Sequence, residues 1–139
     1  MKKILITGAA GFLGQLSIDF FKHKYKLYLV DKIQVKNKNF LHIDITNSKE
    51  VDKIIKKIKP DIILHYASEI FDTYKKSQIN LNNIDGTLNL VKAARKHKTK
   101  QFIFTSTFSI FEKNYENLID EIEPISCRNY YGLSKAETE

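Results

Sequence analysis

Short runs of apolar residues alternate along the chain with longer stretches in which apolar residues recur at helical spacing. The apolar runs are rich in Ile, Leu, Val and Phe and are almost uninterrupted, which is typical of parallel strands buried on both faces. The pattern predicts strands at residues 4–6, 26–31, 40–45, 61–67 and 101–104.

The longer stretches between these strands predict amphipathic helices that lay one apolar side on the sheet. The first covers 12–24, the second follows an N-cap at 46–48 and is ended by Pro60, and the third covers 77–98. Gly86, inside the third stretch, predicts close packing against the sheet or a partner helix, because a mid-helix glycine costs stability. The alternation predicts an α/β fold with a doubly wound parallel sheet, the Rossmann fold.

Three glycines, Gly8, Gly11 and Gly14, follow the first predicted strand, with two residues between each pair. The first allows a sharp turn, the second removes a side chain where the backbone approaches a pyrophosphate, and the third allows close helix packing. The helix that begins near Phe12 presents free N–H groups and its positive dipole end to phosphates. The loop therefore predicts a dinucleotide site, and the alternative is an ordinary turn between a strand and a helix.

Asp31 ends the second predicted strand, roughly twenty residues beyond the glycine loop. A carboxylate there accepts hydrogen bonds from the adenosine ribose and repels a 2′-phosphate, which favours NAD over NADP, although the neighbouring Lys32 softens that repulsion. The alternative is an aspartate that merely follows a strand. Asp44 sits at the end of the third predicted strand, beside the expected adenine edge, and Ala67 and Ser68 are small, as a strand end beneath a cofactor requires.

Tyr131 and Lys135 are four residues apart and share one face of a predicted helix near the end of the chain. An ammonium group one turn from a phenol stabilises the phenolate, and a positively charged nicotinamide acts in the same direction. Such a pair can exchange a proton with a carbinol, while a hydroxyl at the end of the fifth strand, in 105–107, holds the substrate oxygen.

The formal charge of +7 raises the question of nucleic-acid binding. The positive residues are nearly all scattered lysines, with Arg95 and Arg128 as the only arginines, whereas nucleic-acid recognition favours arginine. A solvated basic surface is expected, with no nucleic-acid partner, although positive potential would attract an anionic cofactor. The alternative, an RNA-associated protein, predicts RNA binding that weakens steeply with salt.

The rest of the composition favours a cytoplasmic protein. The chain has no apolar run of membrane-spanning length and no secretory signal, so no membrane partner is expected. Its one cysteine, Cys127, excludes an internal disulfide and suits a reducing compartment. His65 is predicted to be a packed, hydrogen-bonded histidine, because no cluster of metal ligands accompanies it, and no metal is expected.

Together these motifs resemble the N-terminal part of the extended short-chain dehydrogenases/reductases, in the NAD-dependent epimerase/dehydratase family that acts on nucleotide sugars. The matching segments are 7–14, Asp31, 44–45, 65–68, 83–90, 105–107 and 131–135. The resemblance implies that Tyr131 is the catalytic acid/base, that Lys135 holds the nicotinamide ribose and tunes the tyrosine, and that Thr107 binds the substrate. It implies an NAD site made of Gly8, Gly11, Phe12, Leu13, Gly14, Asp31, Asp44, Ile45, Ala67, Ser68, Tyr131 and Lys135.

Two departures from the family pattern affect the expected chemistry. Phe111-Glu112 stands where many members have Tyr-Gly, so that one hydroxyl is lost. Phe108-Ser109 stands where sugar 4,6-dehydratases have an acidic pair, which favours an epimerase or a keto-reductase over a dehydratase.

Members of the family also continue beyond the point that matches Glu139. Residues 1–139 are therefore expected to be one NAD(P)-binding domain, truncated within the catalytic helix, with the C-terminal strands and substrate domain absent.

These expectations combine into one leading hypothesis, an NAD-dependent sugar-nucleotide epimerase or related oxidoreductase represented by its cofactor-binding half. Hydride would pass from a sugar carbon to NAD while Tyr131 takes the hydroxyl proton, and the ketone would then be reduced on either face. The alternative is a non-catalytic NAD-binding or regulatory module, which binds the cofactor without hydride transfer. The expected partners are a nucleotide sugar in a full-length version and a second copy of the chain, through the two helices that flank the fifth strand.

Overall fold

A parallel sheet with the strand order β3-β2-β1-β4-β5 forms the centre of the molecule. The computed structural model describes residues 1–37, 39–70, 79–111, 119–120 and 122–139. The strands are β1 (Lys3–Thr7), β2 (Lys26–Asp31), β3 (Phe40–His42), β4 (Ile62–His65) and β5 (Gln101–Phe104). From β1 the chain adds β2 and β3 on one side, and it then adds β4 and β5 on the other side of β1. This order confirms the predicted doubly wound sheet. The crevice for a ligand in such a sheet lies where the order reverses, at the carboxyl ends of β1 and β4.

The described helical segments connect these strands and border the sheet. They are α1 (Phe12–Phe21), α2 (Ser48–Ile58), a π-helical segment (Asn80–Asp85) that runs directly into α3 (Gly86–Lys96), a 3₁₀ turn (Phe108–Ile110) and α4 (Tyr130–Ala136). As predicted, α2 begins at an N-cap, the Asn47 side chain, which accepts a hydrogen bond from Glu50 N at 3.3 Å, and it ends just before Pro60. In the described part of the chain no helix is long and apolar enough to cross a membrane.

Two apolar cores, one on each face of the sheet, explain the almost uninterrupted hydrophobic runs of the strands. On one face Leu5 and Ile63 pack with buried side chains of α2 and α3, such as Ile55 and Leu90. On the other face lie Ile4, Ile6, Ala9, Leu29 and Leu64, with Ile18 and Phe21 of α1 packed against them. Because successive strand residues point to opposite faces, each strand must be apolar at nearly every position.

The first helix differs from its prediction in length and in amphipathicity. It ends at Phe21 rather than at residue 24. Its outer side carries Phe12, Leu16 and Phe20, whose exposed fractions are 79%, 54% and 70%. Residues four apart share a helix face, so these side chains form one exposed apolar stripe. The helix therefore has apolar residues on both sides, and the prediction of an amphipathic helix was wrong here.

The third and fourth strands are shorter than predicted. β3 stops at His42 because the Asp44 carboxylate accepts hydrogen bonds from the N–H and the hydroxyl of Thr46, both at 2.9 Å, which turns the chain out of the sheet. β4 stops at His65, although Tyr66 N still donates to Thr7 O at 3.2 Å.

The long predicted helix of 77–98 consists of two helical types in the structure. Residues 80–85 form the π-helical segment, and regular α-helix begins at Gly86, while the predicted start at Ser77 lies outside the described residues. A Cβ atom added at Gly86 would lie 2.7 Å from Ile45 Cδ1. The predicted close packing at this glycine is therefore confirmed, but the predicted neighbour, the sheet or a partner helix, was wrong: Gly86 packs on the Ile45 side chain, in the loop after β3.

Candidate active site: a cleft and the Tyr131 corner

A cleft of about 520 Å³ opens at the carboxyl ends of β1, β2 and β4. The predicted cofactor residues that line it are Gly8, Gly11, Phe12, Leu13, Asp31, Asp44, Ile45, Ala67 and Ser68. The other lining residues are Val30, Lys32, Ile33, Ile43, Tyr66, Glu69, Ile70 and Asn82, which the sequence analysis did not assign to the site. Of the predicted site residues, Gly14, Thr107, Tyr131 and Lys135 lie outside this lining. The largest part of the predicted cofactor site is thus brought together in one place.

The glycine loop forms one wall of the cleft. Gly8 has a φ of +66°, and a Cβ atom added to it would lie 2.6 Å from Ala67 N, so only glycine fits. Gly11 N then donates to Gly8 O at 3.0 Å and closes the turn into α1. A Cβ atom on Gly14 would lie 2.6 Å from Ala9 Cα, so this glycine permits the helix to pack on the loop rather than contact a ligand.

The Asp31 carboxylate is buried and held in place by the backbone. Its Oδ2 accepts a hydrogen bond from Ala10 N at 2.9 Å, and its Oδ1 accepts one from Ile33 N at 3.0 Å. Each carboxylate oxygen can accept more than one hydrogen bond, so both remain able to receive hydroxyl groups of a ligand. The position therefore suits a pair of adjacent hydroxyls.

His65 lies fully buried beneath the cleft, at the end of β4. Its Nδ1 is 2.6 Å from Thr7 Oγ1 and its Nε2 is 2.8 Å from Thr87 Oγ1. The Thr87 hydroxyl donates to the Asn83 carbonyl at 2.5 Å, so it accepts from Nε2–H, and Nδ1 accepts from the Thr7 hydroxyl. Burial, followed by the positive charge of Lys135, lowers the pKa of the His65 imidazole to about 3. The prediction of a packed, hydrogen-bonded histidine is confirmed.

Glu69 is the main cleft residue that the sequence analysis missed. It is 8% exposed, and its carboxylate forms an ion pair with Lys32 and accepts a hydrogen bond from Asn82 Nδ2 at 3.4 Å. One sequence signal could have identified it. Glu69 is an acidic residue directly after the small residues that end a buried strand.

Asn83 connects the cleft to the last helix. Its Oδ1 accepts hydrogen bonds from Glu69 N at 2.8 Å and from the Ser68 hydroxyl at 3.2 Å. Its Nδ2 donates to Glu69 O at 3.0 Å and to Ser134 Oγ at 2.9 Å, and the Ser134 hydroxyl donates to Tyr131 O at 2.8 Å. Because Asn83 and Ser134 are both buried, this network fixes α4 relative to the end of β4.

Thr107, Tyr131 and Lys135 lie on neighbouring elements beside β5, and we call these residues the Tyr131 corner. A Cβ atom added at Gly132 would lie 2.5 Å from Ser109 O, so α4 packs directly on the 3₁₀ turn. Thr107 caps that turn, since its Oγ1 accepts a hydrogen bond from Ser109 N at 3.2 Å. The fold therefore places the three predicted catalytic residues on elements that touch one another.

The Lys135 side chain reaches from α4 to the end of β5. Its Nζ donates to Thr105 O at 2.8 Å and lies 4.5 Å from the Phe104 ring centroid and 5.9 Å from the Tyr131 ring centroid. Burial lowers the pKa of the Lys135 ammonium to about 8, which leaves it mainly charged at neutral pH. Tyr131 and Lys135 thus share the helix face that the four-residue spacing predicts.

Two further sequence expectations concern the surroundings of this corner. Of the Phe111-Glu112 pair, Glu112 lies outside the described residues, and Phe111 forms a backbone bridge with Ser126. Phe108 is 68% exposed.

Within the described ranges, no group of three or more His, Cys, Asp or Glu side chains could hold a metal ion.

Comparison with known proteins finds that the chain is similar to epimerases and dehydratases. A UDP-glucose 4-epimerase of Dictyostelium discoideum is 28% identical over 156 residues, which cover 99% of this chain and 45% of that protein. A dTDP-D-glucose 4,6-dehydratase of Homo sapiens is 28% identical over 157 residues, which cover 99% of this chain and 45% of that protein. The crystal structure of a UDP-glucose 4-epimerase of Thermotoga maritima with UDP-glucose superposes with a TM-score of 0.89 at 26% identity, over 98% of this chain and 48% of that one.

The chain spans about half the length of the relatives it matches. A family model described as NAD dependent epimerase/dehydratase family matches residues 4–139. NAD, the cofactor expected from the glycine loop and Asp31, is the one named in that description. The match covers the glycine loop, the cleft and the Tyr131 corner, and the chain belongs to the NAD-dependent epimerase/dehydratase family.

Proposed function

We propose that this chain binds NAD in the cleft and forms the cofactor-binding half of a sugar-nucleotide epimerase or a related oxidoreductase. The observation that carries the proposal is the cleft at the reversal point of the sheet, where a glycine loop and a fixed carboxylate, Asp31, face one another. Since the chain matches about half of each relative, the proposal assigns sugar recognition largely to the other half.

The cleft residues fit the parts of a dinucleotide. Gly8, Gly11, Phe12 and Leu13, at the N-terminus of α1, would hold the pyrophosphate, because free N–H groups and the helix dipole favour anions. Asp31 would accept hydrogen bonds from the adenosine ribose. Asp44 and Ile45 would contact the adenine, and Ala67 and Ser68 would leave space for the cofactor above β4. The bound cofactor supplies a nicotinamide ring that accepts and returns hydride.

In the proposed reaction Tyr131 removes the proton from a sugar hydroxyl and later returns it. The charged Lys135 ammonium stabilises the phenolate form and holds the nicotinamide ribose, and the Thr107 hydroxyl positions the substrate oxygen. Reduction of the ketone on either face would give the two epimers. Phe108-Ser109, in place of an acidic pair, supports epimerase rather than dehydratase chemistry.

We include a homodimer in this proposal, formed through α3 and α4, which lie on either side of β5 in the sequence. α3 exposes Leu88 and Val91 at 42% and 41%, and α4 exposes Leu133 at 40%. Apolar side chains on helix faces of this kind are typical of protein interfaces. A cytoplasmic location is also proposed, because the sequence has one cysteine, Cys127, and so forms no internal disulfide.

Calorimetric titration with NAD, and separately with NADP, tests the cofactor site. We expect wild type to bind NAD more tightly than NADP, and Asp31→Ala to lose NAD binding or to shift it toward NADP. Asp19→Ala is the matched control, because Asp19 is an exposed carboxylate of α1, paired with Lys22 at 2.8 Å, and its removal should leave NAD binding unchanged. Absence of binding in a chain whose circular dichroism spectrum is that of a folded α/β protein would contradict the proposal.

Tyr131→Phe separates the enzyme from the alternative, a non-catalytic NAD-binding module. In a version of the protein that turns over a nucleotide sugar, the variant should bind NAD while turnover falls by orders of magnitude. Undiminished turnover would remove Tyr131 from the mechanism. NAD binding without hydride transfer to any nucleotide sugar, in wild type, would favour the non-catalytic module.

A further inference from the structure

An ion pair joins the two sides of the cleft. Lys32 follows β2 and Glu69 follows β4, and β1 lies between these strands in the sheet. The Lys32 ammonium donates to Glu69 Oε1, and both residues line the cleft. The pair therefore reaches across the carboxyl end of β1, beside Asp31, which directly precedes Lys32 and also lines the cleft.

The two partners of this ion pair differ in how firmly they are held. The Asn83 amide bonds both backbone groups of Glu69, at 2.8 Å and 3.0 Å, and Asn82 Nδ2 approaches its carboxylate at 3.4 Å. The exposed fraction of the Glu69 side chain is 10%, whereas that of the Lys32 side chain is 50%. The carboxylate is thus a fixed point, and it determines where the flexible lysine places its charge.

The location of that charge bears on the choice between two dinucleotides. NADP differs from NAD by a phosphate on the ribose hydroxyl that Asp31 would otherwise bind, and the Asp31 carboxylate repels it. A lysine next in sequence to Asp31 would offset this repulsion if its ammonium were free to bind the phosphate. In this structure the ammonium is bound to Glu69, and the three charged groups together carry a net charge of −1 (Asp31 −1, Lys32 +1, Glu69 −1).

We propose that Glu69 is a specificity-determining residue of the cleft, which holds the Lys32 ammonium away from the ribose and so keeps the cleft selective for NAD over NADP. The inference rests on the proposed function, since it requires that the adenosine ribose meet Asp31. It assigns to Glu69 a role that neither the glycine loop nor Asp31 performs, because the loop would hold the pyrophosphate of either dinucleotide and Asp31 would repel the 2′-phosphate directly.

The test is calorimetric titration of wild type and variants with NAD and with NADP, read as the ratio of the NADP to the NAD dissociation constant. Glu69→Gln keeps the shape of the side chain and releases Lys32, so the ratio should fall about tenfold or more. Lys32→Gln leaves two carboxylates unopposed, so the ratio should rise. The double variant Glu69→Gln/Lys32→Gln has the net charge of wild type at this place, and its ratio should return close to the wild-type value.

Asp19→Asn is the matched control, because it removes the charge of a carboxylate that is paired with Lys22 on the exposed side of α1. Its ratio should equal that of wild type. An unchanged ratio in Glu69→Gln, or an equal fall in Glu69→Gln and in the double variant, would overturn the role of the ion pair. If Glu69→Gln does not fold, Glu69→Asp decides, because its shorter side chain draws the carboxylate away from Lys32, and a ratio that does not fall would overturn the role of the ion pair. Wild type that binds neither dinucleotide would instead overturn the proposed function, before any variant is compared.

Discussion

The cleft and the Tyr131 corner obtain their geometry by different means. At the cleft the backbone sets the geometry, since Gly8 has a φ of +66° and the Asp31 carboxylate is held by two backbone N–H groups. At the Tyr131 corner side chains set it, since the amide of Asn83 fixes Ser134 and the ammonium of Lys135 reaches a carbonyl at the end of β5. Substitution of Gly8 should therefore disturb the path of the chain, whereas substitution of Asn83 or Lys135 should loosen contacts between neighbouring elements.

Gly8→Ala tests the backbone side of this comparison and has the largest expected effect. The new Cβ would lie 2.6 Å from Ala67 N, and the φ of +66° is unfavourable for alanine. Because backbone rather than a flexible side chain would have to move, we expect the free energy of unfolding to fall by about 3 kcal/mol or more. Urea unfolding followed by circular dichroism measures the change.

Gly11→Ala is the control for Gly8→Ala within the same loop. The nearest atom to a Cβ added there is Gly8 O at 3.3 Å, so the loss of unfolding free energy should stay below about 1 kcal/mol, while NAD binding weakens. If Gly8→Ala also lost less than about 1 kcal/mol, the loop would tolerate a side chain at either glycine. The comparison between a backbone-built cleft and a side-chain-built corner would then fail.

Asn83→Ala tests the connection between the two regions and has an intermediate expected effect. It leaves buried groups of Glu69 and Ser134 without their partners, so the free energy of unfolding should fall by about 2 kcal/mol. The loss should also free α4, and amide hydrogen exchange at residues 131–135 should accelerate. Mass-spectrometric exchange on the variant and wild type measures both the site and the size of the effect.

Asn89→Ala is the matched control on α3. Its Nδ2 donates to Ile45 O and Thr46 O, both at 3.1 Å, and these carbonyls lie after β3, far along the sheet from α4. We expect a loss of about 1 kcal/mol without faster exchange at 131–135. If both variants accelerated exchange in α4 equally, general loosening of α3 rather than the Asn83 amide would explain the result.

The same contrast explains which parts of the structure the sequence could predict. The glycine loop and Asp31 depend on local backbone geometry, so their spacing predicted the cleft they line. The ion pair of Lys32 with Glu69 depends on strands that are adjacent only in the folded sheet, and no local pattern contains that information.

The helical regions show a second limit of sequence prediction. Helical spacing predicted one helix over 77–98 but not the π-helical segment Asn80–Asp85, because periodicity over a few residues hardly distinguishes the two helix types. That segment holds Asn82 and Asn83, the asparagines that bond Glu69. The apolar outer face of α1 was missed for a different reason. Leucine and phenylalanine predict burial by their type, whereas Phe12 and Phe20 are 79% and 70% exposed in the folded chain.

The charge of Lys135 should affect stability less than either Gly8→Ala or Asn83→Ala. Its pKa is lowered to about 8 in the folded chain by burial, from an ordinary value of 10.5. Between these two values the unfolded chain keeps a proton that the folded chain has released, so the stability of wild type should rise with pH in that range. Relative to Lys135→Met, which has a similar shape and no charge, wild type should gain about 1 kcal/mol between pH 8 and pH 9.

Urea unfolding of both proteins at pH 7, 8 and 9 measures that difference, and the other titrating groups cancel because both proteins carry them. Parallel pH dependences would mean that the Lys135 ammonium is well solvated, against its exposed fraction of 3%. At pH 7 the variant should be at least as stable as wild type, because burial of an ammonium is unfavourable and a methionine fills the same space. If Lys135→Met abolished turnover in a longer, active version of the protein without loss of stability, the result would show that Lys135 serves the chemistry rather than the fold. At the corner a charge serves the chemistry at some cost to the fold, whereas at Gly8 the fold itself depends on the residue.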